Sequence, residues 1–286
     1  MTELTGRNTL VTGGGTGIGY GCAAQLLAAG AAVTIAGRRA DVLGAAADRL
    51  RFSAPGATID AIVCDITDED QVTRAVEAAA RGGNLDVLVA NAGSGYPGAI
   101  LQMGPEAWDF CFRLNVTGTA LCIKQAGLVM KEHGGGSIVA ISSTSGTKVQ
   151  PWMAAYAASK AGLDMMVRCA AIELAQHGIR VNSIQPGYVP TEVMVEHGSP
   201  ELDRTLRRVT PVGHAGTADD VGRVVVFLAG DGARWITGQL IGVDGGLNVP
   251  VLPSMAPIAT GVYGEDVVRA FALPDLIALA NPAVED

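Results

Sequence analysis

The chain of 286 residues is 49% hydrophobic and 17% charged, with 38 glycines, which excludes a disordered or fibrous polymer and allows one large or two small α/β units. A net charge of −8 and a pI near 5.0 argue against nucleic acid or an anionic membrane surface as the main partner. Five scattered cysteines (Cys22, Cys64, Cys111, Cys122 and Cys169) show no C-x-x-C spacing and read as buried, reduced thiols of a cytoplasmic protein. The opening Met1-Thr2-Glu3-Leu4-Thr5 lacks the basic and apolar regions of a secretion signal, and no run approaches the length of a membrane span.

Seven apolar, β-rich runs alternate with helix-length segments: 8–11, 32–36, 59–63, 87–90, 137–141, 180–184 and 240–243. Continuously apolar strands separated by helices predict a parallel sheet covered on both faces. The expected fold is therefore α/β, a single doubly wound (Rossmann) domain over residues 1–249 with a seven-stranded parallel sheet. Helices are expected over 20–29, after Glu106, from Ala154 to Gln176 and over 218–228. From Pro250 to Asp286 the composition becomes proline-rich, with one helix-like piece at 265–273, and an extension docking on its own domain or on a neighbouring subunit is expected.

The first strand leads into Thr12-Gly13-Gly14-Gly15-Thr16-Gly17-Ile18-Gly19 ahead of a helix. Glycines there allow a tight turn and close approach of backbone to phosphate, and the helix start offers free N–H groups to an anion. Gly13, Gly15, Thr16, Gly17, Ile18 and Gly19 are the candidate phosphate-binding residues. The second strand ends in Gly37-Arg38-Arg39, where an acid would bind the ribose hydroxyls of NAD. Two arginines suit a 2′-phosphate instead, so NADP is expected, with NAD kept open. Asp65, followed by Ile66, either accepts from the adenine amino group or begins the turn before the next helix, with Thr67 as cap. Asn91, Ala92 and Gly93 close the fourth strand with small residues, against which a flat cofactor can lie.

Tyr156 and Lys160 stand one helical turn apart, on one helix face. A neighbouring ammonium favours phenolate, and lowering a phenol by about three units takes roughly 4 kcal/mol. Ser143, at the end of the fifth strand, can return beside Tyr156, although a Ser cluster there also suits a plain turn. Asn115 is a poor mid-helix residue unless its amide holds a water or a bent backbone. Pro186, Gly187, Val189 and Thr191 lie at another carboxyl strand end, placed to cover a nicotinamide. Residues 192–216 are poorly periodic and read as a lid over the substrate. His133, His177, His197 and His214 have no metal-ligand spacing, so no metal is expected.

Taken in order, Thr12–Gly19, Asn91-Ala92-Gly93, Asn115, Ser143 and Tyr156-x-x-x-Lys160 resemble the short-chain dehydrogenase/reductase family from about Leu4 to Leu247, and more loosely its 3-oxoacyl-carrier-protein reductases. The resemblance implies metal-free hydride transfer between a nicotinamide and a ketone or secondary alcohol. It implies Tyr156 as acid and base, and Lys160 on the nicotinamide ribose, lowering the Tyr156 pKa. Ser143 would bind the substrate oxygen, Asn115 would hold a relay water, and Val189 and Thr191 would contact the carboxamide. It also implies a homotetramer built on the long helices near Asn115 and Tyr156 and on the final strand. Pro211-Val212-Gly213-His214 departs from the Pro-x-Gly-Arg frequent among relatives.

Trp152, Met153, Tyr188, Val193 and Met194 either line an apolar substrate site or serve core and interface. A dinucleotide-binding sensor without turnover is the alternative from another class. The set Asn115, Ser143, Tyr156 and Lys160 argues against it, because a sensor has no use for a paired phenol and ammonium.

Overall fold

The computed structural model describes residues 3–192, 199–249 and 256–270. Val193, Met194, Val195 and His197 of the expected lid lie outside the described residues, as do 250–255 and 271–286 of the extension. Seven strands form one sheet: β1 (Asn8–Thr12), β2 (Ala32–Gly37), β3 (Ile59–Val63), β4 (Val87–Ala90), β5 (Gly136–Ile141), β6 (Ile179–Pro186) and β7 (Leu240–Val243). Their order is β3-β2-β1-β4-β5-β6-β7 and every pairing is parallel. The expected seven-stranded, doubly wound sheet is what forms. Strand order reverses between β1 and β4, and that switch opens a crevice at the carboxyl ends, where α/β folds bind ligands.

Each face of the sheet carries its own apolar layer. On one side α1 (Gly17–Ala28), α2 (Ala40–Ser53) and a later helix, Ala218–Ala229, pack Leu26, Leu50 and Val225 against Ile35 and Val89. On the other, α3 (Glu69–Ala80) and two long helices pack Val76, Ile123 and Leu163 against Leu88 and Ile138. Each fully buried Leu or Ile contributes about 1.5–3 kcal/mol of transfer free energy.

The segment after Glu106 is one long rod with a defect in it. Helix α4 (Pro105–Phe112) runs through a π turn, Arg113–Gly118, into α5 (Thr119–Glu132). Such a wide turn is frequent at functional sites, and Asn115 sits inside it, so the expected bent backbone is present. Helix α6 (Ala154–Leu174) carries Tyr156 and Lys160 and ends, after a 3₁₀ turn, at left-handed Gly178.

Three local expectations need correction. The cap of α3 is Asp68, whose carboxylate accepts from the Gln71 N–H, rather than Thr67. Residues 200–209 form a regular helix, α7 (Pro200–Val209), with Ser199 as cap, proline in the first turn, acids at its start and arginines at its end. Ala218–Ala229, here α8, opens with a capping box between Thr217 and Asp220. Two short helices, α9 (Ala256–Tyr263) and α10 (Glu265–Ala270), follow β7; only the second was expected.

Candidate active site

The crevice at the switch between β1 and β4 opens into a cleft of about 730 Å³, within the usual range for cofactor and small-molecule sites. Gly13, Gly15, Thr16 and Ile18 of the first turn line it. Within α1 itself nothing offsets the opening N–H groups: its cap Thr16 makes no side-chain capping bond, and no acid lies in its first turn. That leaves the helix start electropositive toward the cleft, although the Glu192 carboxylate stands 3.5 Å from where a Cβ on Gly17 would be. Gly17 and Gly19 support the turn from behind. A Cβ on Gly19 would strike the Gly13 carbonyl and the Asn91 amide, so only glycine fits.

The turn is held by hydrogen bonds that cross from β1 to the end of β4. Thr12 Oγ1 accepts from the backbone N–H groups of Asn91, at 3.0 Å, and Ala92, at 3.1 Å. Asn91 Nδ2 donates to the carbonyls of Thr12 and Gly13, at 2.9 and 3.2 Å. Asn91 thus lines the cleft and also clamps two strand ends. Thr12, not singled out from the sequence, is the other half of the clamp.

At the far end of β2, Arg38 and Arg39 line the cleft, are exposed and form no ion pair among the described residues. Asp65 and Ile66 line it too. Asp65 Oδ1 accepts from both the N–H and the hydroxyl of Thr67, so the turn role read for Asp65 is realised here.

The middle of the cleft brings together Gly93 after β4, Ser143 after β5, and Tyr156 and Lys160 of α6. Lys160 is 4% exposed and donates to the Ile141 carbonyl at 2.8 Å. Its Nζ lies 5.8 Å from the centre of the Tyr156 ring. Burial pushes its ammonium down to about 8, and the charge of Asp164 pulls it back up. A Cβ on Gly93 would come within 2.9 Å of Asn115 Oδ1 and 3.3 Å of Lys160 Nζ, so glycine keeps that approach open.

Tyr156 behaves differently from the expectation of a lowered phenol. Burial is the largest influence and raises its pKa; a hydrogen bond with Ser143 lowers it in part, and the nearby Cys111 raises it. The desolvation of the phenolate outweighs what the chain's own groups return. Ser143 caps the short turn Thr144–Gly146 through the N–H of Ser145, so both its readings hold together.

Asn115 does not line the cleft but sits fully buried behind it. Its Oδ1 accepts from Ser94 N–H, and its Nδ2 donates to Ser94 O and Ser159 Oγ, all at 2.9 Å. The side-chain amide braces the loop after β4 against α6: both Nδ2 hydrogens are used, while Oδ1, with one donor, keeps a second lone pair.

Beyond Tyr156 the wall is built differently. Pro186, Gly187, Val189 and Thr191 line the cleft as expected, as do Met153 and Tyr188. Trp152 does not; it is 66% exposed, at a positive φ of 67°. The sequence did not single out Leu206 of α7 or Leu247, which complete the wall. Tyr188 Oη donates to Asp203 Oδ1 at 2.6 Å and so fastens α7 to the loop after β6. His214 is exposed on the neighbouring loop. Lys148 Nζ donates to the carbonyls of Leu247, at 2.7 Å, and Val249, at 3.3 Å, while Thr147 Oγ1 meets Asn248. No helix among the described residues is long and apolar enough to cross a membrane.

This arrangement of sheet, turn and buried lysine defines a nicotinamide-dinucleotide oxidoreductase. The chain belongs to the short-chain dehydrogenase/reductase family: the family profile described as "Enoyl-(Acyl carrier protein) reductase" matches residues 13–248. Among curated proteins, the 3-oxoacyl-[acyl-carrier-protein] reductase of Thermotoga maritima is 36% identical over 86% of this chain and all of its own length. Among solved structures, a short-chain type dehydrogenase/reductase from Mycobacterium ulcerans is 40% identical, with a TM-score of 0.83, covering 93% of this chain and 98% of its own. A 7α-hydroxysteroid dehydrogenase solved with NADH and 7-oxo glycochenodeoxycholic acid is 31% identical (TM-score 0.81, 86% and 95% covered). RhlG of Pseudomonas aeruginosa, solved with NADP, is 32% identical (TM-score 0.81, 87% and 98% covered). The protein is an oxidoreductase acting on CH–OH groups of a small molecule by dinucleotide-dependent hydride transfer.

Proposed function

We propose that this protein is an NADP(H)-dependent, metal-independent oxidoreductase that interconverts a ketone and a secondary alcohol, with Tyr156 exchanging the proton. The observation that carries this reading is the convergence of Ser143, Tyr156 and a buried Lys160 in the cleft above the glycine turn. The residues present suit a dinucleotide. The opening of α1 has no side-chain cap, Gly93 leaves a gap that a Cβ would fill, and Arg38 and Arg39 have no acidic partner among the described residues. When bound, the nicotinamide supplies or accepts the hydride.

Tyr156 rests as a neutral phenol, so in reduction it gives its proton to the oxygen that becomes the alcohol, and in oxidation it takes that proton back. Ser143 donates to the same oxygen, where negative charge develops. Lys160 binds the nicotinamide ribose and favours the phenolate once the proton has left. Gly13, Gly15, Thr16, Gly17, Ile18 and Gly19 take the pyrophosphate, and Arg38 and Arg39 the 2′-phosphate. Asp65 and Ile66 border the adenine. Asn91, Ala92 and Gly93 form the floor, and Pro186, Gly187, Val189 and Thr191 the carboxamide side. Asn115, inside the π turn and beside Gly93, holds the water that relays the proton from Lys160.

Met153, Tyr188, Leu206 and Leu247 give the substrate end an apolar wall, so an apolar ketone or alcohol fits. Residues 192–216 act as its lid, with α7 as the covering element, and the extension 250–286 docks on the same domain or a neighbour. The exposed Leu128, Met165 and Ile172 on α5 and α6, with β7 at the sheet edge, suit a homotetramer. Four free thiols are buried as expected, whereas Cys169 is exposed, contrary to the reading of all five as buried; free thiols suit the reducing cytoplasm.

An NAD-dependent dehydrogenase is the second reading, favoured by the relative solved with NADH. Incubation with NADPH or NADH and a panel of apolar ketones, followed at 340 nm, tests both. NADPH consumption that falls by a factor on the order of 10²–10⁴ in Tyr156→Phe is expected. Arg38→Asp should shift preference toward NADH. Dinucleotide binding without turnover over the whole panel would instead identify a sensor.

A further inference from the structure

Two opposite charges lie buried one turn apart on α6, and neither forms an ion pair among the described residues. Asp164 and Lys160 are each 4% exposed. A buried charge is costly unless something compensates it. The Asp164 carboxylate receives only neutral donors: Ser183 Oγ at 2.9 Å and Gln185 Nε2 at 2.7 Å. Lys160 likewise gives to a neutral acceptor, the Ile141 carbonyl. These bonds orient the two groups but cancel neither charge.

We propose that Asp164 is a positioning residue for the reaction read above: its fixed negative charge holds Lys160 in the cationic form, across one helical turn, over the pH range in which the enzyme works. The inference rests on the role given to Lys160. Four residues apart, the two side chains rise from one face of the helix. The other titratable groups near this pair are Tyr156, on the same helix, and Cys111 of α4, which acts on Tyr156. Ile141 of β5, Ser143 and Gly146 of the turn after it, Gly93 after β4 and β6 present no ionisable group to either. Among the described residues Asp164 is therefore the one opposite charge set against Lys160, and it raises an ammonium that burial alone would drive further down.

The placement of the carboxylate is rigid. A Cβ on Gly146 would stand 2.9 Å from Asp164 Oδ2, so the loop from Ser143 packs against it. Its partners Ser183 and Gln185 belong to β6, and Gln185 directly precedes Pro186 of the cofactor-side loop. Gln185 Oε1 in turn accepts from Asn248 at 3.3 Å. The charge is thus anchored to the strand that carries the nicotinamide side of the cleft, not to a side chain free to swing toward water.

The experiment compares the full-length wild type with Asp164→Asn, Asp164→Glu and Ser183→Ala. One readout is the pH profile of kcat/KM for NADPH-dependent reduction of a ketone that the wild type turns over. The other, independent of turnover, is the pH midpoint for competitive acetylation of Lys160, followed by peptide mass spectrometry. Removing the carboxylate charge should move both the alkaline limb and the acetylation midpoint down by about one unit. Asp164→Glu, which keeps the charge, should restore most of the shift. Ser183→Ala, which removes a donor but not the charge, should lower the rate without moving either midpoint. An unmoved Lys160 midpoint in Asp164→Asn, or an equal shift in Ser183→Ala, would overturn the proposal. If Asp164→Asn does not fold, Asp164→Ser, which keeps a polar partner for Gln185, takes its place. If the wild type reduces no ketone, the functional reading fails, yet the acetylation midpoint still decides the role of Asp164.

Discussion

The two ends of the cleft are held together by different means. The dinucleotide end is locked on the backbone itself: the Thr12 and Asn91 side chains grip main-chain groups where β1 and β4 end, and glycines sit where no side chain fits. The substrate end is closed by side chains reaching between distant elements, with Tyr188 on Asp203 and Lys148 on the carbonyls of Leu247 and Val249. Backbone geometry tolerates little change in residue type, whereas a wall of side chains can be rebuilt one substitution at a time. The contrast explains how one scaffold keeps its cofactor while its substrates diverge.

Substitutions can test that contrast, and the largest effect belongs to the seam between the two ends. Tyr156→Phe should cut kcat by a factor on the order of 10²–10⁴ while the dissociation constant for NADPH, measured by fluorescence quenching, stays within about twofold. Lys160 offers the next test, through stability. Its folded pKa, about 8, lies below the ordinary 10.5, so between those values the unfolded chain binds more protons and stability rises with pH. At and below pH 8 the buried ammonium costs folding about 3 kcal/mol, and this cost fades by pH 10.5. The unfolding free energy of the wild type should therefore gain on that of Lys160→Met by about 3 kcal/mol over that window, measured by urea denaturation.

At the dinucleotide end, Asn91→Ala removes two donors to the turn and should lower stability by about 1–3 kcal/mol, weakening NADPH binding in calorimetry while leaving substrate preference alone. At the substrate end, Tyr188→Phe loses one bond to α7. It should cost about 1 kcal/mol and raise KM for the ketone a few-fold with NADPH affinity unchanged. An equal effect of both variants on both constants would dissolve the distinction. Gly37→Asp sharpens it further: a Cβ there meets only Leu43 at 3.6 Å, an ordinary contact, so the acid should be accommodated and move preference toward NADH with little loss of stability.

The same contrast separates what could be read from the chain from what could not. The strands, the glycine turn and the Tyr156–Lys160 face follow from periodicity and spacing, and they stand where expected. Helix α7 was there to be read: Leu202, Leu206 and Val209 fall at i, i+4 and i+7, with Ser199-Pro200-Glu201 at one end and Arg207-Arg208 at the other. The stripe is short, however, and is lost when 192–216 is read as one segment. Asp164 looked like any helix-surface acid; its partners Ser183 and Gln185 lie a whole crossover away. The direction of the Tyr156 shift depended on burial, which no local pattern reports. Asn115 was legible as a residue with a duty, but its commitment to Ser94 and Ser159 required the fold.

The knot of Thr147, Lys148 and Asn248 has a practical consequence for anyone handling the molecule. It pins the polypeptide beside the mouth of the cleft just before the final stretch begins, with Leu247 itself in the wall. A substitution that loosens this knot therefore alters the doorway as well as the strand end beside it.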